Sequence, residues 1–279
     1  MPSPYFNNKE KRKERAKRHT AEMNQQFAKQ TAESACQTKM YGGKDGRIVR
    51  RTVPLTQRNN AIPITVDNLD SVASILHNRT GKTAVLNFAS YKHPGGMFLN
   101  GSSAQEESLC HASNLYNILQ QFDAYYAWNQ KNLNRALYTN RALYTPSVLF
   151  LDTDIADGTQ KQPVPVDVIT CAAPNYTAAS RYGAAGQQKA VMEENKKALF
   201  ARIKFVLDIA EENHVETLIL GAFGCGVFGQ DAKTTALYFA YCLRTYNYHF
   251  KQVYFSLIDC GNTKNYRIFK EVLESSGSC

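Results

Sequence analysis

The sequence predicts a layered α/β domain, on three observations. Short apolar runs that read as strands alternate with helical periodicities from Ile62 to Leu273. Two of those runs, ending at Ala89 and Leu220, lead straight into glycine-rich turns and then into helices. A hydrophobic fraction of 43% over 279 residues supports a packed core, in one large domain or two small ones.

The chain opens on charge. Residues 9–19 hold seven Lys/Arg against two Glu, a net of +5 and over half of the formal +9 of the whole chain. Two readings stay open: a solvated helical arm with Glu–Lys/Arg neighbours at i, i+4, or an arm that binds phosphates of nucleic acid or another anionic polymer. Ala16, Met23, Phe27 and Ala28 continue the segment as a weakly amphipathic helix docked on the body. Gly42, Gly43 and Gly46 mark a loop over 41–51. The expected division is therefore a basic helical extension over 1–45, packed on an α/β domain over 46–279.

Ile62–Val66 reads as a strand and Ser71–His77 as a helix. Val85–Ala89 is a short, mostly apolar run expected as a buried strand, cut off by His93-Pro94-Gly95-Gly96. Beyond Gly101, Leu109, Ala112, Leu115, Leu119 and Phe122 recur at helical spacing and predict one helix. Its first turn carries Gln105-Glu106-Glu107. Ser103 with Glu106 has the spacing of a capping box, and the helix dipole also favours acidic residues there. Glu107 and Gln105 are not explained by the box. From pattern alone, a capped helix and a catalytic carboxylate are equal readings.

Asn134-Arg-Ala-Leu-Tyr-Thr repeats at once as Asn140-Arg-Ala-Leu-Tyr-Thr. Six residues are too few for a solenoid unit, so the duplication is expected to extend a surface helix or loop. Ser147–Leu151 and Val166–Ala172 read as strands on either side of a loop over 157–165. Residues 186–212 form the clearest helix, with Met192, Leu199, Ile203, Val206, Leu207 and Ala210 on one face. Strand 216–220 then meets Gly221-Ala-Phe-Gly224-Cys225-Gly226-Val227-Phe228-Gly229-Gln-Asp231, where Asp231 suits the N-cap of a helix through Leu243. Four glycines after a strand let backbone N–H groups converge on phosphate oxygens. Gly224-x-Gly226-x-x-Gly229 also fits the dinucleotide fingerprint, but it falls late in the chain with too few residues after it for a Rossmann domain. Val253–Ile258 and Tyr266–Leu273 read as the last strand and helix.

Several classes are set aside. Seven cysteines, scattered at 36, 110, 171, 225, 242, 260 and 279, fit reduced thiols better than a disulfide framework. There is no Cys-x-x-Cys, and Cys110-His111 lacks partners at ligand spacing, so no metal site is expected. No run of about 18 apolar residues occurs, so no membrane-spanning helix is expected. The charged N-terminus does not fit a secretory signal. Cytoplasmic residence, or nuclear residence in a eukaryotic or viral setting, follows as the expectation.

Pro94-Gly95-Gly96-Met97, followed eight residues later by Gln105-Glu106-Glu107, resembles the signature of the macrodomain-type poly(ADP-ribose) glycohydrolases, particularly the microbial group. In that family three glycines precede Gln-Glu-Glu; here Met97 stands at the third. The 221–229 loop resembles the family's diphosphate-binding segment, Gly-x-x-Gly-Cys-Gly-x-Phe-Gly. The resemblance runs from about residue 15 to the end. It implies a macrodomain-like three-layer α/β/α fold with a mixed sheet, both glycine loops at one end of it, and no cofactor.

The activity it implies is cleavage of the ribose–ribose O-glycosidic bond of poly(ADP-ribose), or of a related ADP-ribosyl linkage. Glu107 would be general acid and base, and Glu106 would position ribose hydroxyls while capping the helix. Phe228 would pack on the distal ribose, with Asn87 and Ser90 near that sugar. Gly95, Gly96, Met97 and Gln105 would shape the first loop; Gly221, Gly224, Cys225, Gly226, Val227 and Gly229 would surround the diphosphate. The expected partners are ADP-ribose, poly(ADP-ribose) and ADP-ribosylated macromolecules, with nucleic acid or an anionic polymer at the basic arm and no membrane. A non-catalytic ADP-ribose reader, and a hydrolase of mono-ADP-ribosylated protein or nucleic acid, are the alternatives.

Overall fold

The computed structural model describes residues 4–55, 61–151, 162–182, 187–259 and 264–274, with side chains from residue 8 onward. Its centre is a mixed seven-stranded sheet in the order β1-β4-β5-β3-β6-β7-β2. The strands are β1 (Lys39–Tyr41), β2 (Ile64–Asp67), β3 (Thr83–Phe88), β4 (Ala142–Phe150), β5 (Val164–Cys171), β6 (Thr217–Leu220) and β7 (Gln252–Ser256). Neighbours from β5 to β2 pair in parallel, while β4 runs antiparallel to both β5 and β1.

Helices cover both faces, giving three layers. Alternation along β3 sorts its side chains: Ala84 and Leu86 join the core under α8 (Gln188–Glu212), α9 (Ala232–Thr245) and α10 (Asn265–Glu274). Val85 joins the opposite core, with Ala16 of α1 (Pro4–Gln26), Ile75 of α3 (Ser71–Asn78) and Leu109 of α4 (Gln105–His111). The same period of two sends Asn87 to the α4 side. Of the face expected on α8, Leu199, Ile203, Val206, Leu207 and Ala210 are buried, whereas Met192 remains on the surface.

The structure corrects four expectations. The helical extension does not continue to residue 45: α1 stops at Gln26, α2 (Ala28–Gln37) follows, and Lys39–Tyr41 already belong to the sheet. The single helix expected after Gly101 is three, α4, α5 (Leu115–Leu119) and α6 (Asp123–Lys131). It breaks where Ser113 and Asn114 turn their side chains elsewhere: Ser113 Oγ donates back to Leu109 O of α4 at 2.7 Å, and Asn114 Oδ1 accepts Leu149 N–H of β4 at 2.9 Å. The duplicated hexapeptide forms a surface turn only in its first copy, which opens with a 3-10 segment over Asn134–Ala136. Its second copy enters β4, while its first copy turns through positive φ at Asn134, Arg135, Ala136 and Tyr138. The loop expected over 157–165 lies partly outside the described residues, and from Val164 it is strand. A short α7 (Tyr176–Ala179) follows β5.

Candidate active site

The carboxyl ends of the adjacent strands β3 and β6 set the site, where open α/β sheets bind ligands. Past β3 the chain turns through Gly95 and Gly96, both at positive φ. A Cβ on Gly96 would stand 2.7 Å from Glu107 Oε1 and 2.9 Å from Glu106 Oε2, so both carboxylates crowd the same bare α-carbon. Met97, at the third position, has a φ of −110°, which any residue adopts. A side chain is therefore accommodated at this position without backbone strain. Its thioether is half exposed, and its N–H donates to Glu107 Oε1 at 2.8 Å.

The helix cap is shifted by one residue from the expected box. Ala104, not Ser103, is the N-cap, and Glu107, not Glu106, reaches back to the N-cap N–H at 3.0 Å. Alanine has no oxygen to complete the reciprocal bond, so only half of the box exists. Glu106 is freed for another role. It is buried, with Oε2 accepting Ser90 N–H at 2.7 Å and Oε1 accepting Asn87 Nδ2 at 3.3 Å. Burial pushes its carboxyl up to about 8, against the pull of the Ser90 and Asn87 bonds, and the charge of Glu107 adds to the rise. At neutral pH Glu106 is therefore mostly protonated. Asn87 Oδ1 is buried without a partner.

Gln105 does not offer its amide to the cleft. Its Oε1 accepts Phe88 N–H at 2.9 Å, and its Nε2 donates to Leu86 O at 2.8 Å and to Ser71 Oγ at 3.1 Å. This side chain bolts the start of α4 to the end of β3, which fixes where both carboxylates stand.

A stability experiment follows from Glu106. Its folded carboxyl holds a proton up to about 8, whereas the ordinary value is 4.5, so the native state binds more protons between those limits. Stability must then fall as pH rises through that window. Thermal melts from pH 5 to pH 8 should show the wild-type chain losing on the order of a few kcal/mol relative to Glu106→Gln, which has nothing to titrate there. Parallel pH profiles for the two proteins would refute a neutral Glu106.

Across the cleft lies the loop after β6. Gly224 and Gly229 take positive φ, and their α-carbons abut Ala173 and Thr177. Gly226 has an ordinary φ, and a Cβ there would meet nothing within 4 Å, so neither turn nor packing demands a glycine. The loop closes on itself: Cys225 N–H bonds Ala222 O, Gly229 N–H bonds Gly226 O and Gln230 N–H bonds Gly224 O. Among the described residues, the N–H groups of Gly224, Gly226, Val227 and Phe228 find no acceptor. The α9 N-terminus is not the anion site a dinucleotide fold would use, because Asp231 caps it, accepting Thr234 N–H at 2.8 Å.

Between the two loops lies a cleft of about 420 Å³. It is lined by Ser90, Gly96, Met97, Gln105, Glu106 and Glu107 on one side and by Gly224, Gly226, Val227 and Phe228 on the other. Asn87 stands behind Glu106. Gly95 backs on Tyr116 and Cys110, and Gly221 on Phe88, so they shape the wall from behind. Burial pushes the Cys225 thiol up to about 11, and its Sγ lies 3.5 Å from Thr235 Oγ1, the environment of an inert thiol.

Sequence reasoning missed the apolar floor, Phe88, Ala173 and Phe223. Nothing but their position at strand ends could have marked them. It also missed Tyr138, whose ring stacks on Tyr91 at 4.1 Å and meets Phe228 edge-on at 6.2 Å. Among the described residues no cluster of His, Cys, Asp and Glu could hold a metal ion.

An α/β/α sandwich with a carboxylate pair facing a bare glycine loop defines a macrodomain-type ligand site. The model of the microbial-type PARG catalytic domain matches residues 9–153, and the chain belongs to this family. The poly(ADP-ribose) glycohydrolase of Thermomonospora curvata is similar at 26% identity and a TM-score of 0.76, over 94% of this chain and 99% of that one. Its structure with the inhibitor ADP-HPD gives a TM-score of 0.75 over the same shares. The poly(ADP-ribose) glycohydrolase of Deinococcus radiodurans, in complex with ADP-ribose, is 31% identical over 88% of this chain and 97% of that one, with a TM-score of 0.70. No curated protein sequence matches the chain significantly.

Proposed function

We propose that this chain is a poly(ADP-ribose) glycohydrolase whose reaction is carried by Glu106 and Glu107. The observation that supports it most is the pairing, across one cleft, of two adjacent carboxyls with four unbonded backbone N–H groups. The N–H groups of Gly224, Gly226, Val227 and Phe228 suit the diphosphate of an ADP-ribose unit. That leaves the ribose–ribose bond at the carboxyl pair. Phe228, braced by Tyr138, offers a ring face to the distal ribose.

Cleavage passes through an oxocarbenium-like transition state. Glu107, in its protonated form, gives a proton to the departing ribose oxygen as the C–O bond breaks. It then takes one from the water that adds to the anomeric carbon, so the acid is regenerated. Glu106, neutral at pH 7, donates its O–H to a ribose hydroxyl and so sets the sugar against Glu107. Asn87 and Ser90 hold Glu106; Gln105 and the Met97 N–H hold the pair as a whole.

Incubating the chain with labelled poly(ADP-ribose) should release free ADP-ribose. Binding without release would leave a reader. Release only from mono-ADP-ribosylated protein or nucleic acid would move the substrate to those linkages.

A further inference from the structure

We infer that a groove between α1 and the α3–α4 pair is a second subsite, which binds the diphosphate of the polymer unit on the departing side of the scissile bond. The inference rests on the hydrolase reading and adds where the rest of the substrate goes. The groove holds about 650 Å³ and is lined by Arg12, Arg15 and Arg18 of α1, with Leu76 of α3 and Ser108 and His111 of α4 among the facing residues.

Cleft and groove share a wall. Segment 101–108 turns Ser102, Ala104, Glu106 and Glu107 to the cleft and Ser108 to the groove. The helix that carries the arginines is fixed to that wall: Arg12 Nε donates to Gly101 O at 2.7 Å. Gly101 lies so close to Lys9 and Lys13 that a Cβ there would meet the helix, and Ala16 and Met23 anchor the helix further along. This is a docked element, not a loose tail.

Charge and order do the rest. Lys11, Arg15 and Arg18 stand at i, i+4 and i+7, so they form one exposed stripe about 10 Å long, of which Arg15 and Arg18 line the groove and Lys11 extends it beyond the lining. Among the described residues Lys11 and Arg15 have no ion pair, and Arg18 meets Glu22 only at 3.7 Å with both side chains exposed. The other acid in the groove, Asp70, already caps α3 through Ala73 N–H. His111 lines the groove from α4, and both of its ring nitrogens are buried without a hydrogen-bond partner. If one unit's diphosphate sits on the 224–228 N–H groups and its ribose bond at the carboxyls, the 101–108 wall is the side of the carboxyls nearest the groove, and the departing unit leaves over it. There it meets the stripe, and each unit brings two phosphate charges. Nucleic acid matches the charge, but nothing would align it with the cleft.

The test compares the full chain with Lys11→Gln/Arg15→Gln/Arg18→Gln. The expected result is a rise of about ten-fold or more in KM for long poly(ADP-ribose), with kcat unmoved and a salt slope shallower by about 2. The inhibition constant of free ADP-ribose, which competes at the cleft, should be the same in both proteins. Equal KM and equal salt slopes would overturn the subsite. So would tighter binding of single-stranded DNA of matched charge than of polymer. If the wild-type chain turns over no polymer, the hydrolase reading fails instead. Polymer binding by the same two proteins, read by fluorescence polarisation, then decides the groove separately.

Discussion

Glu107→Gln should release ADP-ribose from poly(ADP-ribose) at least about 10²-fold more slowly than the wild-type chain, the low end for removing a general acid–base. Affinity for ADP-ribose should change little, because one amide oxygen can still accept from Met97 or Ala104 N–H. The informative comparison is Glu106→Gln. Glu106 is already neutral at pH 7, so an amide replaces it with a similar shape and a similar donor, and the loss should be clearly smaller. Turnover and ADP-ribose affinity measured on both variants decide the roles. A larger loss at Glu106 would make it the acid and leave Glu107 as the helix cap.

Gly96→Ala should be nearly as damaging, although no functional group is removed. The new methyl would arrive 2.7 Å from Glu107 Oε1 and 2.9 Å from Glu106 Oε2, and the position has a φ of +60°. The backbone cost is about 1–2 kcal/mol, which lowers the melting temperature without unfolding the chain. The carboxylates cannot both keep their places, and a displacement of about 1 Å at a reacting group can cost 10²-fold. Turnover should fall about that far while far-UV circular dichroism stays native. Full activity in a folded Gly96→Ala protein would mean that the carboxyl geometry seen here is not the reacting one.

Much of this site was readable from residue order. The strand at 85–89, the glycine turn, the second glycine loop and the Asp231 cap all lie where local rules put them, because each is a short-range device. The errors came where tertiary structure overrode local pattern. The spacing of Leu109, Leu115 and Leu119 is helical, yet Ser113 and Asn114 give their side chains to α4 and β4, and the helix ends. The box was misread by one residue because Ser103 has the right chemistry but Ala104 is where the helix begins. That single step changed the reading of the pair, giving Glu107 the N-cap bond and leaving Glu106 to Ser90 N–H and Asn87. No local rule distinguishes the two carboxylates; their surroundings do. Met97 departs from the family's third glycine without cost, because its φ of −110° needs no glycine.

The two copies of Asn-Arg-Ala-Leu-Tyr-Thr show how little a hexapeptide determines by itself. In the first, Arg135 lies at the surface against Glu194 and Tyr138 braces Phe228. In the second, Arg141 is wholly buried, paired with Asp45 and seated 4.4 Å from the Trp128 ring. Only the second copy enters the sheet, and there the period of two decides its contacts: Ala142 and Tyr144 face one layer and Leu143 the other. The same Leu in the first copy, Leu137, packs instead with Tyr91 and Tyr138 in a separate cluster beside the cleft.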